Sequence, residues 1–157
     1  MSAPGPETRI LLVDVDGTLV DSFPGIRDSF LHALAANGVP APPDDQVARI
    51  SGPPMEDTLR GLGLEGDILD RTYRAYRENY SGGSWRTVEV IPGMRDLIRT
   101  WKDAGYVLAT ATSKVETTAR LMLERFDLLD LFDVVATAST ERGGRRAKAD
   151  VIGYALE

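Results

Sequence analysis

An apolar run that ends in two closely spaced aspartates constrains this chain more than any other feature. Residues 9–15 read RILLVDV and are followed by Asp16-Gly17-Thr18. A short run of branched apolar residues is typical of a strand buried on both faces of a parallel sheet. Asp14 and Asp16 stand two apart at the strand's carboxyl end, so both side chains point to the same side. Because open parallel sheets bind ligands at that end, the run predicts a ligand site.

The chemistry of paired carboxylates indicates what this site binds. Two carboxylates at one strand end repel each other unless a proton or a positive group is present. A divalent cation removes the repulsion, and hard oxygen ligands suit Mg²⁺. The alternative is an Asx-type turn in which one acid caps the following helix. Two acids inside an apolar run are an unfavourable way to make a turn, which favours the metal site.

Strands and helices alternate along much of the chain, which predicts an α/β fold. The patterns predict strands at 9–15, 106–111 and 132–136 and helices at 94–104, 115–126 and 147–156, with a polar loop at 137–146. This alternation is typical of a parallel sheet with right-handed crossovers. After the first strand, Pro24 begins a helical pattern. Gly- and Pro-rich breaks then separate further helices near 44–50, 55–62 and 66–80.

These patterns divide the chain into three parts. We expect a disordered tail over 1–8, an α/β core made of 9–21 and 90–157, and an all-helical insert over 22–89. The insert enters directly after the aspartate-bearing strand.

Composition excludes several classes of protein. Lys and Arg number 18 against 24 Asp and Glu, a formal net charge of −6, which argues against a nucleic-acid binder. The absence of Cys excludes a disulfide scaffold, a thiolate metal site and a catalytic cysteine. A single histidine, His32, excludes a multi-histidine metal site. No stretch approaches the roughly 20 apolar residues of a membrane span, and the first residues lack secretory-signal features. We therefore expect a cytoplasmic protein without a membrane partner.

The segment Asp14 to Ser22, DVDGTLVDS, resembles the first motif of the haloacid dehalogenase superfamily. The chain is most similar to the phosphoglycolate phosphatase-like members, which Gly52-Pro53-Pro54 and Ile91-Pro92-Gly93 also resemble. The likeness covers residues 9–157. It implies a Rossmann-like parallel core and identifies the helical insert as a cap domain that closes over the active site.

The resemblance implies a role for each residue of the first motif. Asp14 would be the nucleophile that takes the phosphoryl group, and its remaining oxygen would bind Mg²⁺. Asp16 would be the general acid for the leaving alcohol and then the base for water, and its backbone carbonyl would reach the metal. Gly17 would permit a tight turn that brings backbone N–H groups to the phosphate, with Thr18 as a second binding residue.

The resemblance also implies a hydroxyl and a lysine. Thr112 would place its hydroxyl on a phosphoryl oxygen, with the Ser113 N–H as a neighbouring donor near a helix start. The alternative is that Thr112 or Ser113 merely caps that helix. Two lysines could neutralise the phosphoryl group, Lys114 and Lys148. Residues 145–152 resemble the stretch that holds this lysine, which favours Lys148 and leaves Lys114 as a substrate-binding residue.

Three arginines near this lysine add positive charge to an acidic protein. Arg142, Arg145 and Arg146 lie in the predicted polar loop. They could form a solvated loop or attract an anionic substrate.

A fourth motif that the resemblance implies is not found in the 157 residues. In the family, a Gly-Asp followed by another acid on the next strand supplies further Mg²⁺ ligands. The sequence ends at Glu157, in the helix before that strand. We therefore expect a core that is incomplete at its carboxyl end, weak Mg²⁺ binding, and a first strand that lies at a sheet edge. An exposed apolar edge favours self-association.

The leading functional hypothesis is a Mg²⁺-dependent phosphatase that uses an aspartyl-phosphate intermediate. Its substrate would be a small soluble phosphate monoester such as phosphoglycolate, a sugar phosphate or a nucleotide. One alternative is a phosphomutase of the same fold, which would return the phosphoryl group to the substrate. Another is a catalytically weak phosphate-binding or interaction protein. A receiver-type phosphoacceptor is disfavoured, because a single helix follows the first strand in such a protein, whereas a helical insert follows it here.

Overall fold

The computed structural model describes residues 8–139 and 144–157, and the chain forms two compact units. The first unit comprises Met1–Leu19 and Val90–Glu157, and the second comprises Val20–Glu89. Apart from Thr8, the tail expected over 1–8 lies outside the described residues.

Apart from two short additional strands, the helices and strands follow the order that the sequence predicts. They are β1 (Ile10–Val13), β2 (Val20–Asp21), α1 (Phe23–Ala36), α2 (Asp44–Val47), α3 (Met55–Gly61), α4 (Gly66–Gly82), β3 (Glu89–Val90), α5 (Met94–Asp103), β4 (Val107–Val115), α6 (Glu116–Arg125), β5 (Val134–Ala138) and α7 (Lys148–Ala155). Short 3-10 helices span Ser84–Thr87 and Leu129–Leu131.

The first unit is built on a three-stranded sheet in the order β1-β4-β5. Both strand pairs are parallel, with Val13 opposite Thr110 and Ala109 opposite Val134. Helices connect the strands in sequence, as parallel pairing requires. The predicted α/β fold with a parallel sheet is confirmed.

Small side chains bring the last helix close to the sheet. Val151 and Ala155 of α7 form one buried cluster with Ala109 of β4 and Ala136 of β5. Helix α6 buries Ala119, Met122 and Leu123 completely. The apolar positions recur at the helical spacing expected for helices that cover a sheet.

Strand β1 differs from the prediction of burial on both faces. Leu12 is 36% exposed, and Ile10 and Leu11 are only partly buried. The physical reason is its position: in the described part of the chain β1 pairs with β4 alone. The prediction of full burial is wrong, and the expected edge position is confirmed for the described residues.

The second unit is mainly helical. Helix α1 buries Phe30, Ala33 and Leu34 and packs chiefly against α4. The Asn79 side-chain oxygen of α4 accepts hydrogen bonds from the hydroxyls of Ser29 (3.0 Å) and Ser84 (2.9 Å). Strands β2 and β3 form a two-stranded sheet that the sequence did not predict, since two residues are too few to show alternation.

Candidate active site

The turn after β1 explains why two aspartates flank a valine. Val15 is fully buried, and its carbonyl accepts the Leu19 N–H at 3.0 Å and the Thr18 N–H at 3.4 Å. Gly17 has φ +75°, the left-handed region that residues with a Cβ rarely adopt. The buried valine anchors the turn to the core, which leaves the aspartates on either side of it to form the site.

Asp14 meets the first residue of α7. Its Oδ2 lies 2.8 Å from the Lys148 ammonium nitrogen, and its Oδ1 accepts the Val15 N–H at 2.8 Å. The Asp14 and Lys148 side chains are 37% and 43% exposed. The carboxylate is therefore held at both oxygens and is still open to solvent on one side.

Asp16 meets the other lysine, in a more buried setting. Its Oδ1 lies 3.2 Å from the Lys114 nitrogen, with side-chain exposures of 17% for Asp16 and 7% for Lys114. Among the described residues, this Oδ1 is buried and accepts no hydrogen bond. The ion pair with Lys114 is therefore the contact that compensates its charge, because a buried unpaired carboxylate is strongly unfavourable.

The end of β4 corrects the predicted strand boundary at Ala111. The strand continues to Val115, and its pairing with β5 is irregular between Ala111 and Val115. Such irregularities re-aim side chains and occur often beside active sites. The sequence missed it because polar residues at the end of an apolar run also indicate a turn.

Thr112 and Ser113 do not cap the following helix. The residue that precedes α6 as its cap is Val115, and it makes no side-chain cap hydrogen bond. The buried Thr112 hydroxyl instead accepts the Lys114 N–H at 3.1 Å. That bond turns the backbone locally at Lys114, whose ammonium reaches Asp16. Val115, and neither Thr112 nor Ser113, therefore occupies the cap position of α6.

The register of β1 and β4 places the predicted residues at one end of the sheet. Val13 pairs with Thr110, so Asp14 and Thr112 follow one and two residues beyond that pair. Gly17 and Thr18 lie exposed in the turn after β1, and Ser113 is partly buried in β4. Sequence reasoning treated Lys114 and Lys148 as alternatives, whereas the structure gives each of them its own carboxylate.

Arg145 is engaged within the fold and is not free in a polar loop. Its Nε donates to the Thr137 carbonyl at 3.3 Å, and its guanidinium carbon lies 3.8 Å from the centroid of the Tyr154 ring. Strand β5 extends to Ala138, so the loop predicted to start at 137 starts later. Arg142 lies outside the described residues. The solvated-loop expectation is therefore wrong for Arg145, whose contacts are with residues distant in sequence, and attraction of an anionic substrate stays a prediction.

The donor set of Asp14 and Asp16 fits one Mg²⁺ ion of the usual protein type. Mg²⁺ is commonly held by one or two carboxylates, with waters and substrate phosphate completing six oxygen ligands. Within 8–139 and 144–157 no three His, Asp or Glu side chains are grouped to share a metal. Both carboxylates also face an ammonium group, with which a metal ion would compete.

No helix in the described residues has the length and apolar character needed to cross a membrane.

Comparison with known proteins identifies the family. The model of haloacid dehalogenase-like hydrolases matches residues 11–157, and the chain belongs to this family. A haloacid dehalogenase-like hydrolase from Streptococcus pneumoniae superposes with a TM-score of 0.85 at 30% sequence identity. The superposition covers 95% of this chain and 69% of that one. The resemblance read from DVDGTLVDS is confirmed.

Two curated relatives carry different names. Tyrosine-protein kinase PtkA of Mycobacterium tuberculosis is 43% identical over 155 residues, 99% of this chain and 53% of PtkA. Pyrophosphatase PpaX of Halalkalibacterium halodurans is 29% identical over 129 residues, 82% of this chain and 59% of PpaX. The chain thus spans a little over half the length of these relatives.

Proposed function

We propose that this chain carries the phosphoryl-transfer site of a phosphatase that hydrolyses a small phosphate monoester. The observation that carries the proposal is the contact of Asp14 Oδ2 with the Lys148 ammonium at 2.8 Å. It joins a nucleophilic carboxylate at a strand end to a cation that can hold the transferred group. Family membership and the similarity to a pyrophosphatase support hydrolytic phosphoryl chemistry.

The proposed reaction has two steps and regenerates the site. In the first, an oxygen of Asp14 attacks phosphorus, the ester P–O bond breaks, and Asp16 passes a proton from solvent to the departing alcohol. In the second, Asp16 takes a proton from water, the water oxygen attacks phosphorus, and the bond between phosphorus and Asp14 breaks. Inorganic phosphate leaves, and Asp16 returns its proton to solvent. A carboxylate nucleophile replaces one difficult displacement by two easier ones.

The two lysines have different parts in this proposal. The Lys148 ammonium balances the charge of Asp14 and of the phosphoryl oxygens, because opposite charges within about 4 Å stabilise each other strongly in a partly dry site. Lys114 holds Asp16 in place from within β4. The Lys114 ammonium, 3.2 Å from Asp16 Oδ1, would also attract the anionic part of the substrate.

Backbone and hydroxyl groups would hold the phosphate. We assign the N–H groups after Gly17, the Thr18 and Thr112 hydroxyls and the Ser113 N–H to the phosphoryl oxygens. Mg²⁺, when bound at Asp14 and the Asp16 carbonyl, would supply electrostatic stabilisation of the charge that develops on those oxygens. Each group is a donor or a cation, as an anionic substrate requires.

Transfer to a tyrosine hydroxyl is a second candidate, favoured by the 43% identity to a protein named tyrosine-protein kinase. The attack on phosphorus would be the same, but a phenol oxygen would replace water as the final acceptor. A phosphomutase differs likewise in its acceptor, and a weak phosphate-binding protein would lack turnover. These four candidate functions differ in the final fate of the phosphoryl group.

One experiment follows the phosphoryl group. The 157-residue chain is incubated with Mg²⁺ and a panel of small phosphate esters, with and without a tyrosine peptide and ATP. We expect release of inorganic phosphate and a small, acid-stable amount of protein that carries the phosphoryl label. Asp14→Asn should abolish both. Asp103→Asn, at the exposed end of α5, is the matched control and should behave as wild type. Three other outcomes would each contradict the phosphatase proposal. An isomerised ester would indicate a phosphomutase, and a phosphopeptide would indicate transfer to tyrosine. Tight phosphate binding without release would indicate a phosphate-binding protein.

A further inference from the structure

Arg145 makes three contacts that tie the end of β5 to α7. Its Nε donates to the Thr137 carbonyl at 3.3 Å, and its own carbonyl accepts the Ser139 N–H at 2.8 Å. Its guanidinium stacks on the Tyr154 ring, 3.8 Å from the centroid. We propose that Arg145 is a positioning residue that sets the start of α7 and thereby aims Lys148 at Asp14. This inference rests on the proposed function of Lys148.

The packing of α7 shows why its first turn needs a separate support. The helix is held on the sheet through Val151 and Ala155, which meet Ala109 and Ala136. Small side chains allow close approach of the helix to the sheet, and these buried contacts begin only at Val151, the fourth residue of α7. The three residues that begin α7, from Lys148 to Asp150, are all exposed. Within that turn, the Ala147 N–H donates to Asp150 Oδ2 at 3.3 Å, a bond internal to the turn.

The Arg145 contacts reach both sides of that turn. Thr137 belongs to β5, and Tyr154 lies six residues beyond Lys148 on α7. Arg145 therefore links the strand to the far part of the helix, and the backbone from Arg145 to Lys148 runs between these fixed points. A displacement of about 1 Å can cost on the order of 100-fold in rate when a reacting geometry is lost. The Lys148 side chain is 43% exposed. The position of its backbone therefore determines whether its ammonium group reaches Asp14.

Direct contact of Arg145 with substrate predicts a different result. A substrate ligand that is lost raises KM, whereas a displaced Lys148 lowers kcat. The structure favours the second, because the guanidinium is already engaged by a carbonyl and an aromatic ring. Separate measurement of KM and kcat therefore distinguishes direct contact with substrate from positioning of Lys148.

The kinetic test is a double-mutant cycle on phosphate release. We expect Arg145→Ala to lower kcat about tenfold with little change in KM, and to add nothing in a Lys148→Ala background. Tyr154→Ala should act like Arg145→Ala, and Tyr154→Phe, which keeps the ring, should restore the wild-type rate. Arg120→Ala is the matched control. Arg120 and Arg145 line one cleft of about 510 Å³, but Arg120 pairs with Glu116 on its own helix at 2.7 Å.

A second readout works without turnover. Because Lys148 is paired with Asp14, it should react with a limiting amount of an amine-reactive acylating reagent more slowly than an unpaired lysine would. In Arg145→Ala we expect labelling of Lys148, measured by mass spectrometry, to rise roughly two- to fivefold, the factor that the loss of an exposed ion pair allows. Lys102, paired with Asp133 at 2.6 Å, is the internal reference and should not change.

The outcomes separate this inference from the proposed function. Unchanged labelling of Lys148 in Arg145→Ala, or fully additive losses in the cycle, overturns the positioning role. Full phosphate release by Lys148→Ala, together with increased labelling in Arg145→Ala, overturns the proposed function and keeps the structural link. Circular dichroism at the assay temperature establishes that each variant is folded.

Discussion

The carboxylates of Asp14 and Asp16 stand two residues apart, yet they lie in different surroundings. Asp14 and its lysine are more than a third exposed, whereas Asp16 and Lys114 are 17% and 7% exposed. Exposed ion pairs contribute little to stability, whereas removal of one member of a buried pair leaves an uncompensated charge. The open pair is therefore accessible to a ligand, whereas the buried pair also supports the fold.

Substitution of the aspartates should stop the chemistry. Asp14→Asn should abolish turnover, because a neutral amide cannot form the aspartyl-phosphate. Asp16→Asn should reduce turnover by about 10²- to 10⁴-fold, the range for loss of a general acid or base. Phosphate release with Mg²⁺ measures both. Normal release by the Asp14 variant would refute the proposed nucleophile.

The two lysines should separate binding from stability. Lys148→Ala should weaken binding of vanadate or a fluoride–metal analogue of phosphate more than Lys114→Ala does. Lys114→Ala should instead lower the free energy of unfolding by about 3 kcal/mol at most, because Asp16 keeps its buried charge. Isothermal titration and urea unfolding give the two quantities. Equal analogue binding by wild type and the Lys148 variant would transfer the phosphate-binding role to Lys114.

At the scale of helices and strands, one glycine fixes how close α1 approaches the 3-10 helix Ser84–Thr87. A Cβ on Gly25 would lie 2.4 Å from the Ser84 carbonyl oxygen, which belongs to the backbone and cannot rotate away. We expect Gly25→Ala to destabilise the chain by about 1–3 kcal/mol, the usual range for overpacking.

Gly61 provides the control for this prediction. It lies at the end of α3, and a Cβ there would meet no atom within 4 Å. Gly61→Ala should therefore be neutral or stabilise by up to about 1 kcal/mol, since it reduces the freedom of the unfolded chain. Urea unfolding of both variants tests the pair, and equal stabilities would show that α1 can shift without loss.

Asp133 links α5, β4 and the start of β5, and makes stability depend on pH. Its Oδ1 contacts the Lys102 nitrogen at 2.6 Å, and its Oδ2 accepts the Leu108 N–H at 2.9 Å. Burial raises the pKa of Asp133, but the hydrogen bonds and the Lys102 charge outweigh it and leave the pKa below its ordinary value of 3.8. The stabilisation is therefore complete above that value and is lost as the pH falls through the lower, folded pKa.

The corresponding substitution should show this window. We expect Asp133→Asn to lower the free energy of unfolding by about 1 kcal/mol at pH 7. The difference from wild type should shrink as the pH falls below 3.8. Urea unfolding at several pH values measures it. A difference that stays constant into strong acid would mean that the charge of Asp133 contributes nothing.

Local patterns predicted the elements well and their ends less well. DVDGTLVDS identified Asp14 and Asp16 because their spacing is a property of one strand and one turn. The extension of β4 to Val115 depends on pairing with Ala138, and the partners of Lys114 and Lys148 lie far away in sequence. The packing of Arg145 was missed for the same reason, since its stacking on Tyr154 needs α7 to be in place. The spacing of residues within one helix or strand carries no information about such long-range contacts.

At the scale of the whole molecule, metal affinity depends on how many acids the fold gathers. Asp14 and Asp16 are both paired with lysines, and no group of three possible metal-binding side chains occurs in the described parts of the chain. Mg²⁺ gives up its water reluctantly and gains little from so few ligands. We expect millimolar or weaker binding to the 157-residue chain by calorimetry. Micromolar binding would show that further ligands are present.

The position of β1 makes a prediction about assembly. It pairs with β4 on one side, and Leu12 is 36% exposed although the strand has the composition of a buried one. An apolar strand edge with unpaired N–H and C=O groups is a template for another chain. We expect the 157-residue chain to self-associate through residues 10–13, with Leu12→Lys shifting it toward monomer. Leu97→Lys, at an α5 position that is 38% exposed, should leave association unchanged.

Light scattering after size-exclusion chromatography measures the association, and hydrogen exchange locates it. Protection of the Leu11 to Val13 amides should increase with protein concentration in the wild type and not in Leu12→Lys. The reason is that a second chain would supply the hydrogen-bond partners that the described residues do not provide on the open side of β1. A monomer whose Leu11 to Val13 amides are strongly protected at every concentration would mean that this edge is covered within the chain, and the edge-pairing prediction would then be wrong.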